Sequence, residues 1–252
     1  MPSGHANEVR VLLLDIEGTT TPIDFVYKTL FPYAVRHVER FLRAHFSDPE
    51  INALVQDLKA QHERDNAEGR QPTTWLSGSD EDQLSSCAAY ARWLIASDSK
   101  CTPLKALQGK IWQQGFANGE LHGEVYPDVP AAFERWREQQ RQTCIYSSGS
   151  VLAQQQLFRS VVSGDLTPYI TAYFDTRTGI KTVAASYAKI AASLGRSPRE
   201  FLFVSDAPKE VEAAHSAEMQ AVLCDRIAPA SAQPNPAGAI HTFDEIFPPN
   251  CR

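Results

Sequence analysis

The stretch Val11-Leu12-Leu13-Leu14-Asp15-Ile16-Glu17-Gly18-Thr19-Thr20 constrains this chain more than any other. An uninterrupted apolar run reads as a strand buried on both faces, the mark of a parallel sheet covered by helices. The run ends on two carboxylates two residues apart, a glycine and two hydroxyls. In open parallel sheets, ligands bind just beyond the carboxyl ends of the strands, so these groups fall where such a fold does its chemistry. Asp15 and Glu17 suit phosphoryl transfer, in which one carboxylate attacks phosphorus and the other moves the leaving group's proton. The same residues also make an ordinary turn, and the rest of the chain decides between the two.

The 252 residues, 43% of them hydrophobic, suffice for one large domain or two small ones with their own cores. A net charge of -6 and a pI near 5.7 argue against a nucleic-acid footprint, which would need a basic face. A small anionic substrate still binds an acidic protein where the local site is cationic or holds a metal. The cysteines (Cys87, Cys101, Cys144, Cys224, Cys251) are odd in number and scattered, with no CxxC pair. Neither a zinc site nor a disulfide framework is indicated, and the expected setting is a reducing cytoplasm. Met1 to Arg10 is polar and lacks a signal peptide's apolar region. No apolar run reaches membrane-spanning length, so no membrane partner is expected. The histidines show no metal-ligand spacing, and His37 and His45 read as surface or satisfied groups.

Three zones follow along the chain. The first strand runs near Arg10 to Asp15. A helical block near Tyr27 to Phe116 carries four amphipathic helices, marked by Phe31, Val35, Val38 and Leu42, by Ile51, Val55 and Leu58, by Leu84, Ala88 and Leu94, and by Leu104, Leu107 and Ile111. Ala67 to Ser79, rich in Gly, Pro, Ser and Thr, reads as a loop. From Tyr126 on, helices at Val129–Gln140, Val151–Val162, Val183–Leu194 and Glu210–Ala217 alternate with strands at Thr143–Tyr146, Thr171–Phe174, Phe201–Val204 and Ala221–Cys224. That alternation predicts a parallel sheet. The fold expected is α/β, with a helical domain over residues 25–123 inserted between core segments 1–24 and 124–252. The Pro- and Ala-rich stretch Ala228–Ala239 reads as a loop.

Further strand ends carry polar residues: Ser147-Ser148-Gly149-Ser150, and Ser205-Asp206. Lys181 sits just ahead of the Val183 helix. If the strands are parallel, Asp15, Glu17, Ser147, Ser148, Lys181 and Asp206 converge on one rim. Asp15 can form an aspartyl-phosphate. Asp206 can complete a Mg²⁺ site with it, since Mg²⁺ favours a carboxylate or two plus phosphate and water. Ser147 can donate to a phosphoryl oxygen, and Lys181 can hold that oxygen as a point charge. Each also has a plain structural use: the serines as helix caps, Lys181 as a solvated lysine, and Asp206 as a turn or cap acid ahead of Pro208. Trp112, Phe116 and Tyr126 read first as core aromatics, with lining of the site as the alternative.

The order Asp-x-Glu-Gly-Thr, Ser-bearing strand end, Lys and late Asp resembles the haloacid dehalogenase superfamily of aspartate-nucleophile phosphatases. Within it, the chain resembles the enolase-phosphatase family of methionine salvage, also called acireductone synthase. The resemblance rests on Asp15–Thr20, Gly109–Phe116 with Gly119–Asp128, Ile145–Ser150, and Val204–Ala207 with Glu210. It implies a parallel-sheet core of the Rossmann kind with a mobile helical cap. It also implies Mg²⁺ as cofactor and a phosphorylated diketone, 2,3-diketo-5-methylthiopentyl-1-phosphate, as substrate, enolised and then dephosphorylated. By that resemblance Asp15 is nucleophile and metal ligand, and Asp206 a second ligand. Glu17 gives its backbone carbonyl to the metal and its side chain to the proton, while Ser147, Ser148 and Lys181 hold the substrate. A monomer is expected, from the resemblance and from the lack of an obvious exposed apolar helix face. A general sugar-phosphate phosphatase or phosphomutase would not call for Glu17 or the Gly109–Asp128 segment. A silent scaffold would not keep Asp15, Glu17, Lys181 and Asp206.

Overall fold

Val11–Leu14 forms β1, and all four side chains are buried. Its neighbours in the sheet come from far along the chain. In the computed structural model, which describes residues 8–227 and 238–248, five strands make one parallel sheet in the order β3-β2-β1-β4-β5. β2 is Gln142–Tyr146, β3 Ile170–Phe174, β4 Phe201–Ser205 and β5 Gln220–Leu223. Leu13 pairs with Cys144 on one side and Phe203 on the other. β1 is therefore the central strand, and the chain's winding direction reverses beside it, which is where open α/β sheets place their ligands.

Val11 and Leu13 join Tyr187 and Ile190 of the helix Ala184–Ser193, and Ala213 and Ala214 of the helix Pro208–Ser216, in one apolar cluster. Leu12 and Leu14 point the other way and are equally buried. The continuous apolar run thus has the cause read from it: both faces are covered. Most expected elements form within a residue or three of their expected ends. The helix expected to begin at Glu210 begins at Pro208, since proline suits the first helical position. The helix expected to reach Val162 stops at Arg159. Of the expected loop Ala228–Ala239, residues 228–237 lie outside the described residues.

The chain divides into two compact units, Met1–Phe25 with His122–Arg252, and Val26–Leu121. In the second, a π turn at Val26–Leu30 leads into helices Phe31–His45, Pro49–Ala67, Asp80–Ala96 and Thr102–Ala117. Asp48 and Ser79 cap the second and third of these by accepting backbone N–H groups, as their sequence positions suggest. Buried Asp65 accepts the Tyr90 hydroxyl at 2.6 Å and the Gln61 amide at 2.9 Å. His45 is satisfied by Phe41 O at 2.9 Å, and His37 stacks on Tyr33. Trp112 donates to Leu30 O at 2.9 Å, which gives it a structural role.

Gly115 lies under the Tyr33 ring, and a Cβ there would come within 2.7 Å of Tyr33 Cζ. The Tyr33 hydroxyl is in turn fixed on Glu120 Oε2 at 2.7 Å. In an open helix, Gly→Ala stabilises by about 1 kcal/mol. Here the close approach reverses the sign: Gly115→Ala is expected to lower the melting temperature, and Tyr33→Leu in the same background to restore part of the loss.

Candidate active site

The backbone turns sharply just after β1. Ile16 O accepts the N–H groups of Thr19, Thr20 and Thr21 at 3.2, 3.0 and 2.8 Å, and Gly18 adopts a φ of 68°. That conformation suits glycine. Gly18 also has no room for a side chain, since a Cβ would stand 2.2 Å from Asp206 Oδ2. The turn aims Asp15 into a buried network. Asp15 Oδ1 accepts the Ile16 N–H at 2.7 Å and pairs with Lys181 Nζ at 2.7 Å. Asp15 Oδ2 lies 3.0 Å from Ser205 Oγ.

Lys181 is 6% exposed and reaches a second carboxylate, Glu210 Oε2, at 2.6 Å. Burial works against its charge, but Asp15 and Glu210 outweigh burial and raise its pKa. Its backbone is equally constrained: the Tyr187 hydroxyl donates to Lys181 O at 2.7 Å, Ser186 Oγ to Ile180 O at 2.8 Å, and the Tyr146 hydroxyl to Gly179 O at 2.9 Å. Lys181 is not a solvated surface lysine.

Glu210 was part of the resemblance but not among the expected site residues, and the structure brings it in. Burial, and then the charge of Asp15, raise its pKa, against Lys181 and Ser205. Ser205 Oγ stands between the two acids, 2.9 Å from Glu210 Oε2, while accepting the Ala207 N–H at 3.1 Å. Its single proton serves one carboxylate at a time. The signal available in the sequence was spacing: Glu210 lies one helical turn beyond Asp206, in the first turn of Pro208–Ser216.

Ser147, at the end of β2, is buried; its N–H donates to Phe174 O at 3.1 Å, and its Oγ accepts the Gly149 N–H at 3.1 Å. Ser150, three residues on, is the one that caps the next helix, accepting the Ala153 N–H at 3.3 Å. The capping alternative for Ser147 and Ser148 therefore falls to Ser150. Ser148 is half-buried in the same turn, and Glu17 is half-buried beside Thr21. Among the described residues, no three His, Cys, Asp or Glu side chains gather as a metal-binding group. The described cysteines are free, and burial pushes Cys87, Cys144 and Cys224 up to about 12, as inert core thiols.

Asp206 donates its N–H to Thr19 Oγ1 at 3.1 Å, and burial together with Asp15 pushes its carboxyl up to about 6. A carboxyl raised on folding stabilises fully below its unfolded pKa of about 4. That contribution is lost as pH rises towards about 6. In EDTA, Asp206→Asn should therefore gain on the wild type in urea midpoint across that window, then hold level. A constant difference across the window would show that Asp206 is not raised.

The haloacid dehalogenase-like hydrolase family model matches residues 9–218. "Enolase-phosphatase E1" of Synechococcus elongatus is 48% identical over 238 residues, 94% of this chain and 98% of that protein. Its namesake in Drosophila melanogaster is 47% identical over 226 residues, 89% of this chain and 86% of that one. The crystal structure of the UTR4 protein of Saccharomyces cerevisiae superposes with a TM-score of 0.70 at 31% identity, covering 93% of this chain and 96% of that one. With Asp15, Lys181 and Asp206 gathered at the end of its central strand, this chain belongs to the haloacid dehalogenase-like hydrolases and, within them, to the enolase-phosphatase E1 family.

Proposed function

We propose that this chain is an enolase-phosphatase: it enolises 2,3-diketo-5-methylthiopentyl-1-phosphate and then removes its phosphate to give the acireductone of methionine salvage. The observation that carries the reading is Asp15. It is a buried carboxylate at the rim of a parallel sheet, held by Lys181 at 2.7 Å and by the Ile16 N–H. Structural acids of this kind are expected at surfaces or caps; one buried against a lysine at a ligand-binding rim suits nucleophilic attack.

In this reading an Asp15 carboxylate oxygen attacks phosphorus and the ester P–O bond breaks. Glu17 protonates the departing oxygen, then takes a proton from the water that hydrolyses the aspartyl-phosphate. Lys181 balances Asp15 and holds a phosphoryl oxygen, and Ser147 and Ser148 donate to the others. The inserted helical unit serves as the cap. We further read the protein as a cytoplasmic monomer; among the described residues, no helix is long and apolar enough to cross a membrane.

The donor set fits Mg²⁺: two hard carboxylates, Asp15 and Asp206, the latter packed against a glycine that leaves it room, with the Glu17 carbonyl, phosphate and water for the remaining positions. When bound, the ion supplies charge neutralisation and carbonyl polarisation. Glu17, with its longer side chain, also takes part in enolisation.

Protein and Mg²⁺ mixed with the diketo phosphate should form the enol, seen by absorbance, and release phosphate, both lost in EDTA. Release from simple sugar phosphates but not from this substrate would overturn the family-specific activity. Asp15→Asn should abolish phosphate release. Glu17→Gln should slow release by about 10²–10⁴-fold; enolisation at full rate in that variant would remove Glu17 from the first step.

A further inference from the structure

Arg226 follows β5, and its side chain is 4% exposed. Nε donates to Thr19 O at 3.0 Å, and Nη1 to Asp128 Oδ2 at 2.7 Å and His241 O at 3.2 Å. Its guanidinium carbon lies 4.5 Å from the Tyr126 ring centre and 4.4 Å from that of Phe243. Nη2 has no hydrogen-bond acceptor, and the two ring faces help offset its charge. The same Asp128 oxygen, Oδ2, also accepts the Phe243 N–H at 2.6 Å. The post-β1 turn is thus fastened by two successive carbonyls, Thr19 O on Arg226, just past β5, and Thr20 O on the Tyr126 N–H at 3.0 Å. The Thr19 hydroxyl is also the group that accepts the Asp206 N–H, at 3.1 Å.

We propose that Arg226 is a positioning residue: acting through Thr19, it sets where Asp206 stands, and so how tightly Asp15 and Asp206 hold a divalent cation. The inference rests on the reading of those two carboxylates as the cation's ligands. A guanidinium suits the task because one flat group with donors in fixed directions reaches three acceptors while stacking between rings. Lysine keeps the charge that Asp128 requires but cannot make that fork. Thr19 is fully buried, so its backbone and hydroxyl move as one piece with whatever holds its carbonyl.

The test uses Arg226→Lys, Thr19→Val and the double variant. Mn²⁺ is titrated into the substrate-free protein, with free Mn²⁺ read by electron paramagnetic resonance and melting temperature measured in EDTA. Each single variant should raise the Mn²⁺ Kd by about 10-fold or more. The double variant should be little worse than the weaker-binding single, because both act on one path. Phosphate release by Arg226→Lys should recover at high Mg²⁺. A lower melting temperature with wild-type Kd would make Arg226 purely structural and overturn the proposal, as would effects that multiply in the double variant. If Arg226→Lys does not fold, Thr19→Val decides alone, and a wild-type Kd there also overturns it. A wild-type protein that fails to bind Mn²⁺ would instead sink the reading of Asp15 and Asp206 as ligands, and this inference with it.

Discussion

The buried pair of Asp15 and Lys181 governs the rest of the structure. Two charges taken out of water cost several kcal/mol each even after relaxation, and mutual attraction repays that only with good geometry and further hydrogen bonds. Here the further bonds come from the Ile16 N–H, the Ser205 hydroxyl and the Glu210 carboxylate. None is optional, since removing one member of a buried pair typically costs about 3–5 kcal/mol, a large share of a domain's net stability. A network of this kind tolerates little slack, and the three hydroxyls that hold carbonyls 179–181 show where the slack is removed.

The parallel sheet makes the pair possible. Asp15 and Ser205 are 190 residues apart and meet because β1 and β4 are neighbours with Leu14 opposite Val204. Parallel neighbours need long crossovers, and two crossovers bring to the same rim Lys181, from the turn ahead of the helix Ala184–Ser193, and Glu210, from the first turn of the helix Pro208–Ser216. The helical unit Val26–Leu121 sits inside the chain between β1 and β2 without disturbing that register, because β1 is complete before it begins.

What was legible in the sequence is what depends on near neighbours. An apolar run buried on both faces, proline at helix starts and serine or aspartate at caps all declare themselves within a few residues. Asp15, Lys181 and Asp206 each had a plain structural use taken alone, and it was their order at successive element ends that pointed to one rim, where Lys181 meets Asp15. Glu210 had only its spacing from Asp206 to mark it, a weak signal because in the first turn of a helix an acid is the ordinary choice against the dipole. Arg226 looked like any arginine after a strand. Its burial exists only because Tyr126, Asp128 and Phe243 close around it from distant parts of the chain. The three serines of Ser147-Ser148-Gly149-Ser150 are alike in sequence, and only backbone direction tells that Ser150 is the cap.

One electrostatic consequence ties these features together. Asp15, Asp206 and Glu210 face a single ammonium, and two of the three are raised by burial and by Asp15. Left so, the rim is a poor place for a phosphate dianion. Lys181 cannot correct the balance, because Asp15 and Glu210 already share its charge. A cation held by Asp15 and Asp206, as proposed above, would supply the second positive charge, and Gly18, by carrying no Cβ, leaves the Asp206 carboxylate room to stand where it does. The glycine and the Thr19 contacts both act on Asp206: Gly18 leaves room for its carboxylate, and the Thr19 hydroxyl, on a residue whose carbonyl Arg226 holds, accepts its N–H.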